Sequence, residues 1–205
     1  MSVITAPSTL LIGGMTIGQM RYELGEQSDV TGAQATRLLG PPRWRWSITS
    51  QQNMGLAQAA EWEVLIYKLR GRVNHLAVYD FGRPRQGTQT GVPTLNGALA
   101  VGDTSMVLTG CTNGATYAAG DWLQVGTAGV LTSQLVKVMA TATASGTAMT
   151  VTFEPPIRKV IGSGQDVASA PAYGYFKMMN DGLSSEYVPG SGMGGFALDL
   201  LEQWS

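Results

Sequence analysis

One segment of the 205-residue chain, and only one, has the pattern of an amphipathic helix, so the rest must be built mostly from strands and turns. The segment runs from Asn53 to Arg70 and contains no proline. Its apolar residues recur at helical spacing in two rows, Leu56, Ala60, Val64 and Tyr67, and Ala59, Trp62, Ile66 and Leu69. We expect Asn53 to cap the first turn and Gly71 to end the helix in the left-handed conformation.

On both sides of this helix the period falls to two, the spacing of strands. Residues 43–49 alternate, which directs Trp44, Trp46 and Ile48 to one side of a strand. His75–Asp80 is strand-like, and three further strands are predicted over 173–179, 184–188 and 195–204. The expected fold class is therefore mainly β (α+β), a sheet of sandwich or split-barrel type with one packed helix.

The composition changes between Arg83 and Pro171, where aromatic and charged residues thin out and Gly, Ala and Thr increase. Both borders resemble linkers. We therefore expect an inserted small β-barrel domain over 83–171, with 1–82 and 172–205 forming the other domain. The strands predicted in the insert are 104–108, 122–125, 135–144 and 148–153, with turns at Gly102-Asp103 and Gly120-Asp121.

The chain has 13 basic and 14 acidic residues, a net charge of −1, which argues against electrostatic capture of nucleic acid or an anionic membrane. Charged residues make up only 13% of the chain, a composition that favours association between subunits. Cys111 is the only cysteine, which excludes an internal disulfide and suits a reducing cytoplasm. Neither a signal peptide nor an apolar membrane-spanning run is expected.

Several phrases of the sequence together resemble one family. They are KLRGRVNHLAVYDFGRPRQGT, AAGDWLQVG, a strand pair that ends in FEPPIR, and a Gly-rich turn before the last strand. They are similar to the distal tail and tail-hub (baseplate hub) proteins of long-tailed bacteriophages, over roughly residues 40 to 200.

The resemblance implies a tail-tube-like domain that assembles as a hexameric ring at the distal end of the tail and connects the tube to the tip complex. The implied partners are further copies of the chain, the tail tube protein and the tip or hub protein, with a tail fibre as a further candidate. The implied location is the virion, after synthesis in the bacterial cytoplasm. No enzymatic activity, cofactor, specific nucleic-acid binding or membrane insertion is expected.

A ring needs subunit contacts, because the unpaired edges of a sheet must be closed by neighbouring copies. Interface cores are rich in aromatic residues and arginine. The residues expected at the subunit interface are Arg43, Trp44, Arg45, Trp46, Arg70, Arg72, Asp80 and Phe196.

Two alternatives remain open. One is a carbohydrate-binding or host-attachment β module, in which Tyr117, Trp122 and Tyr173 would offer stacking faces. The other is a tail tube or terminator protein, which would differ from a hub in how many rings it forms.

The sequence offers little to catalysis. A Ser/His/Asp triad would have to use His75, the only histidine, and no G-x-S-x-G elbow is present. One His and one Cys cannot supply a zinc site. Residues 190–195 fit G-x-G-x-x-G, but the segment after them alternates like a strand, so we interpret them as a hairpin or loop. Glu61 and Glu63 are two apart on the helix and face different directions.

Overall fold

A computed structural model describes residues 2–27, 31–32, 34–129, 132–180, 186–188 and 192–203. The chain is mainly β, with one helix, as the sequence predicts. In chain order, the elements before the insert are β1 Val3–Thr5, β2 Ile12–Gln27, β3 Gln34–Ser50, α1 Leu56–Leu69 and β4 His75–Val78. Those after the insert are β13 Gly174–Met178, β14 Glu186–Val188, β15 Gly192–Gly194 and β16 Ala197–Glu202.

Six of these strands form one sheet in the order β1-β4-β13-β16-β3-β2, which we call the body sheet. All neighbours are antiparallel except β1 and β4. The strand that carries Trp44 and Trp46, β3, pairs with β16 on one side and β2 on the other, so it lies inside the sheet. The edges are β1 and β2. The strands β14 and β15 pair with each other, antiparallel, in a separate two-stranded sheet.

One face of the body sheet is apolar and carries the core, as the alternation of residues 43–49 predicts. Trp44, Trp46 and Ile48 are all buried. The helix packs on this same face with its second apolar row and Leu65, and the indole of Trp62 stacks on Phe196 with ring centroids 6.0 Å apart. The first apolar row does not face the core, so that part of the prediction is wrong: Leu56 is 72% and Tyr67 71% exposed. Two apolar rows were present, and only one could face the sheet.

The helix ends differ from the expectation. Gly55, not Asn53, is the N-cap residue, and it supplies no side-chain bond. At the other end Arg70 itself caps the helix in the left-handed conformation, with φ 50° and ψ 49°, while its N–H bonds to the carbonyl of Tyr67. Gly71 follows, also left-handed, with φ 65°. The chain therefore turns at a residue with a Cβ, where that conformation is unfavourable.

The insert forms the second sheet. Its strands are β5 Thr94–Leu95, β6 Ser105–Thr109, β7 Thr116–Tyr117, β8 Trp122–Val125, β9 Gln134–Val138, β10 Ala142–Thr143, β11 Ala148–Glu154 and β12 Val167–Ala168. Six of them pair in the order β12-β8-β9-β11-β6-β5. A bridge between Thr94 and Asp166 then joins the two end strands, so the sheet is nearly closed into a small barrel. The predicted strand 135–144 is wrong as one element, because it divides into β9 and β10.

Each sheet has its own buried apolar cluster. The barrel interior holds residues from Leu95 to Val167, among them Leu108, Leu123 and Phe153. The body cluster holds residues of β3, β4, β13, β16 and α1, but it also includes Trp122 and Leu135 of the insert. These two residues connect the barrel to the body.

We expect the substitution Arg70→Gly to stabilise the fold by about 0.5–1 kcal/mol. Relief of the left-handed strain is worth about 1–2 kcal/mol, and the greater freedom of glycine in the unfolded chain offsets part of it. Urea unfolding measures the difference. Lys68→Gly, inside the same helix, is the matched control and should destabilise by about 1 kcal/mol. Equal losses of unfolding free energy in the two variants would contradict the proposed backbone strain at Arg70.

Candidate assembly surface

The insert is held on the body by Trp122. Its ring makes edge contacts with Trp44 at 4.8 Å and Trp46 at 5.8 Å between centroids, and Trp46 lies 4.6 Å from Phe176. Two indole N–H groups cross the junction as well. Trp44 Nε1 donates to the carbonyl of Leu135 at 2.9 Å, and Trp122 Nε1 donates to Asp80 Oδ2 at 2.9 Å. Packing and directed hydrogen bonds therefore fix the barrel on the sheet.

A buried ion pair lies at the same junction. Arg158, from the insert, donates to both carboxylate oxygens of Glu202 in β16, at 2.6 and 2.8 Å. The two side chains are only 6% and 3% exposed. Glu202 Oε2 also accepts the backbone N–H of Trp44 at 3.2 Å, so the carboxylate continues the β16 to β3 ladder. The ion pair therefore lies beside Trp44, where the ladder between β16 and β3 ends.

The phrases that suggested a family converge on this junction. Asp80 lies in the first phrase, Asp121 and Trp122 in the second, and Arg158 ends the third. Asp121 Oδ1 accepts the backbone N–H of Gln86, and Oδ2 accepts those of Gly87 and Ala118, so it ties the incoming linker to the barrel. Sequence reasoning missed Arg158, Glu202 and the joining role of Trp122.

Two surfaces of the body remain uncovered among the described residues. The first is the outer half of the β2–β3 hairpin, residues 21–27 and 34–40, which we call the arm. Every residue from 21 to 27 is exposed, and so are 34–37 and 39. At about 3.3 Å per residue the arm extends about 20 Å from the body. A two-stranded hairpin of this kind is marginally stable alone.

The sequence marks where the arm leaves the body. The register between β2 and β3 shifts between Met20 and Tyr22 and again between Tyr22 and Glu23. Opposite the first shift lie Pro41 and Pro42, which lack the N–H that a ladder needs. Beyond this bulge Leu24 is 48% and Leu39 63% exposed. The arm thus presents apolar side chains to solvent.

The second uncovered surface is the outer row of the helix, Leu56, Ala60, Val64 and Tyr67, which we call the helix stripe. Its members are 49 to 72% exposed where they are large. A contiguous apolar strip on a surface with few charges is typical of protein–protein contact. The sheet face away from the helix differs in character, because it carries mainly small and polar residues, including Thr16, Ser47 and Thr49.

The predicted interface residues divide into two groups. Trp44, Trp46 and Phe196 are 6, 0 and 1% exposed within a single chain, so their assignment to a subunit interface is wrong. The aromatic pattern marked the contact between sheet and insert instead. Asp80 is likewise used inside the chain, by Trp122 and by the backbone N–H groups of Gly82 and Arg83.

The arginines of that prediction lie nearer the surface. Arg45 and Arg70 are exposed, and the guanidinium of Arg43 lies 5.9 Å from the ring centroid of Tyr22 at the root of the arm. Arg72 is exposed too, but its Nη2 donates to the carbonyl of Met179 at 2.8 Å, which ties the turn after the helix to the end of β13. The structure does not bring these four residues together at one site.

Two of the three stacking faces of the carbohydrate alternative are buried, and the third, Tyr173, is partly exposed. Tyr117 is 0% and Trp122 7% exposed, both in hydrophobic clusters. Tyr173 packs edge-on against Tyr79, with centroids 5.6 Å apart. The aromatic residues of the insert serve its packing.

The groups considered for chemistry are dispersed. His75 is buried in β4, and burial together with the positive charge of Lys177 lowers its pKa. Burial raises the pKa of the Cys111 thiol, in the barrel core. Among the described residues, no three His, Cys, Asp or Glu side chains converge as metal ligands would. Of the Gly-rich segment, residues 192–194 form β15, while 189–191 lie outside the described residues.

Comparison with known proteins adds no assignment, since neither a family model nor a curated protein matches the chain. Within the described part of the chain, the single helix is too short to cross a membrane.

We expect Arg158→Met to destabilise the protein by about 3–5 kcal/mol, because it leaves the carboxylate of Glu202 buried without its cation. The double substitution Arg158→Met with Glu202→Gln should lose clearly less, since Gln keeps an acceptor for Trp44 N–H and removes the charge. Denaturant unfolding measures both. Lys159→Met, the exposed neighbour, serves as control and should stay within about 0.5 kcal/mol of the wild type. Additive losses in the double variant would contradict the pairing.

Proposed function

We propose that this chain is a structural subunit of a long-tailed bacteriophage that forms a ring, of six copies by resemblance, at the distal end of the tail and connects the tail tube to the tip or hub complex. Its role is recognition and mechanical continuity, without chemistry of its own. The observation that carries the proposal is the arm, a two-stranded ribbon in which residues 21–27, 34–37 and 39 are all exposed.

An exposed ribbon of this length calls for a partner. Folding of the arm buries little apolar surface in its own chain, so the contacts that stabilise it must come from elsewhere. Its strand β2 is also an edge of the body sheet, with no further strand paired on its outer side in the described part of the chain. In a head-to-tail ring, a neighbouring copy would cover both the arm and the free edge of β2, because each subunit contacts its two neighbours through different surfaces.

The remaining surfaces suit the same arrangement. The helix stripe gives the layer outside the sheet an apolar contact for an adjoining subunit or partner protein. On the opposite sheet face, Gly14, Thr16, Gly18, Ser47 and Thr49 are small or polar, and Arg43, Arg45 and Lys177 lie on that face by register.

The fixed junction supports a role in carrying force. A barrel joined by a flexible linker would move independently of its ring. Here Trp122 and the pair formed by Arg158 and Glu202 hold the insert on the body sheet. A protein bound to the insert, such as the hub protein or a fibre, would therefore transmit load to the ring itself. We place the protein in the virion, at the tail tip, after synthesis in the host cytoplasm.

Electron microscopy of particles that carry an epitope-tagged copy tests the proposal. Gold-labelled antibody should mark the distal tail tip on most particles. Label along the whole tail would support the tube protein alternative instead, and label confined to the capsid would refute a tail role. The mass of the purified assembly gives a second criterion, because a hub stops at one or two rings, whereas a tube protein continues.

Shortening the arm should separate assembly from folding. Met20 and Arg43 face each other across the hairpin, so residues 21–42 can be replaced by an Asn-Gly type I′ turn. We expect a melting temperature within a few degrees of the wild type, since the arm buries little surface, and loss of the protein from purified particles.

Point variants provide the matched comparison. Leu24→Glu, in the arm, should reduce incorporation into particles without changing the melting temperature. Val101→Glu, at a residue of the insert that is 63% exposed, should change neither. Normal incorporation of the shortened protein would show that the arm is not an assembly contact.

A further inference from the structure

A groove runs along the two linkers that join the insert to the body. Its first cavity has a volume of about 260 Å³ and is lined by residues that include Tyr79, Arg83, Arg85, Trp122 and Pro171. A second cavity, also about 260 Å³, shares Arg85, Ser169 and Ala170 with the first and extends to Thr90, Gly91 and Val92. Because Arg85, Ser169 and Ala170 line both, the two cavities adjoin, and we call them together the linker groove.

The acceptors in this groove are largely occupied. Asp80 Oδ1 accepts two backbone N–H groups and Oδ2 accepts the indole of Trp122. Asp121, 2% exposed, accepts three backbone N–H groups. A sugar needs both acceptors and donors for its hydroxyl groups. This groove offers few acceptors, which disfavours a neutral saccharide.

Its donors, in contrast, have capacity to spare. Arg85 Nη1 donates to the hydroxyl of Ser169 at 3.1 Å, and Arg83 Nη2 makes one long contact, 3.4 Å, with the carbonyl of Ala119. A guanidinium has five N–H groups. No ion pair joins either arginine to a carboxylate among the described residues.

The Arg83 side chain lies against a glycine. Its guanidinium lies on Gly120, where a Cβ would meet Nη2 at 2.6 Å and Nη1 at 2.7 Å. Gly120 has φ 90°, in the left-handed region that favours glycine. Lys137 is also near, with its Nζ 4.7 Å from the centroid of the Trp122 ring. Burial and then the charge of Arg83 lower the pKa of Lys137, and the carboxylate of Asp80 opposes this shift. Three cations, Arg83, Arg85 and Lys137, thus lie near the two carboxylates of Asp80 and Asp121, whose oxygens already accept hydrogen bonds within the chain.

The walls are firm and partly apolar. Tyr79 packs against Phe81 at 4.2 Å and against Tyr173 at 5.6 Å between centroids. Val92, in the second cavity, is 56% exposed. Adjoining cavities with arginine N–H groups to spare in one part and an apolar residue in the other match a short extended peptide better than a single small anion.

We propose that the linker groove binds an extended acidic segment of a neighbouring tail protein, with a carboxylate hydrogen-bonded by Arg83 and Arg85 and the adjoining apolar side chain against Val92. The identity of the partner rests on the proposed function. The chemistry of the groove does not, and it can be tested on the purified chain.

The probe is the blocked peptide acetyl-Ala-Glu-Leu-amide, compared with its neutral isostere acetyl-Ala-Gln-Leu-amide. NMR titration follows the arginine Nε–H signals and the indole N–H of Trp122. We expect the Glu peptide to shift the signals of Arg83 and Arg85 and to bind about tenfold more tightly than the Gln peptide, the worth of a charge-assisted hydrogen bond. Raising NaCl from about 0.05 M to 0.3 M should weaken it severalfold.

Variants locate the site. Arg83→Gln with Arg85→Gln should abolish the difference between the two peptides, and Arg70→Gln, at an exposed arginine elsewhere, should preserve it. Should the double variant unfold, the comparison of the two peptides on the wild-type chain still decides.

Equal affinity for both peptides overturns the proposal. So does tighter binding of glucuronate or inorganic phosphate than of the Glu peptide, since the site would then recognise an acidic sugar or a general anion. If the label marks the tail tip but the peptide does not bind, only the proposal for the linker groove is refuted. If the peptide binds but the label marks the capsid, only the proposed tail role is refuted.

Discussion

The packing of Trp122 against Trp44 and Trp46 is the contact on which the rest of this molecule depends. It joins an eight-strand insert to a six-strand sheet, and the ion pair of Arg158 with Glu202 sits at its side. Truncation of one such aromatic residue costs about 3–5 kcal/mol, a large part of the roughly 5–15 kcal/mol that holds a domain folded. The insert and the body are therefore parts of one cooperative structure around this contact.

The distribution of exposed apolar surface complements that contact. Inside the chain, aromatic rings and a buried ion pair fill the space between the sheets. Outside, the arm and the helix stripe carry Leu24, Leu39, Leu56 and Tyr67 without cover from the described residues. A monomer with this division has buried its aromatic residues and left apolar surface exposed at the arm and the helix stripe, as we expect of a subunit that contacts other copies.

Local periodicity predicted much of the fold. The alternation over residues 43–49 gave the correct inward face of β3, and Gly120-Asp121 gave a correct turn, because both signals lie within a few neighbouring residues. The sequence predicts the helix but not which of its two apolar rows is buried. Both rows have helical spacing, and only packing against the sheet distinguishes them. The long strand β2 was missed because glycines at 13, 14, 18 and 25 dilute its alternation.

The site was harder to predict for a related reason. Arg158 and Glu202 are 44 positions apart, and neither carries a local pattern that indicates its partner. Aromatic and arginine residues in one strand are equally typical of an interface between chains and of one within a chain. Only the pairing of β3 on both sides, with the barrel above it, distinguishes the two cases.

The register between β4 and β13 has an evolutionary consequence. Val78 and Gly174 are paired neighbours, so the chain leaves the body sheet for the insert and re-enters it at adjacent positions of one antiparallel pair. Topologically, a short turn could replace the whole module, and unrelated modules could be exchanged there without rewiring the sheet. The exchange is constrained energetically, because any replacement module must supply a side chain that fills the space beside Trp44 and Trp46 that Trp122 occupies.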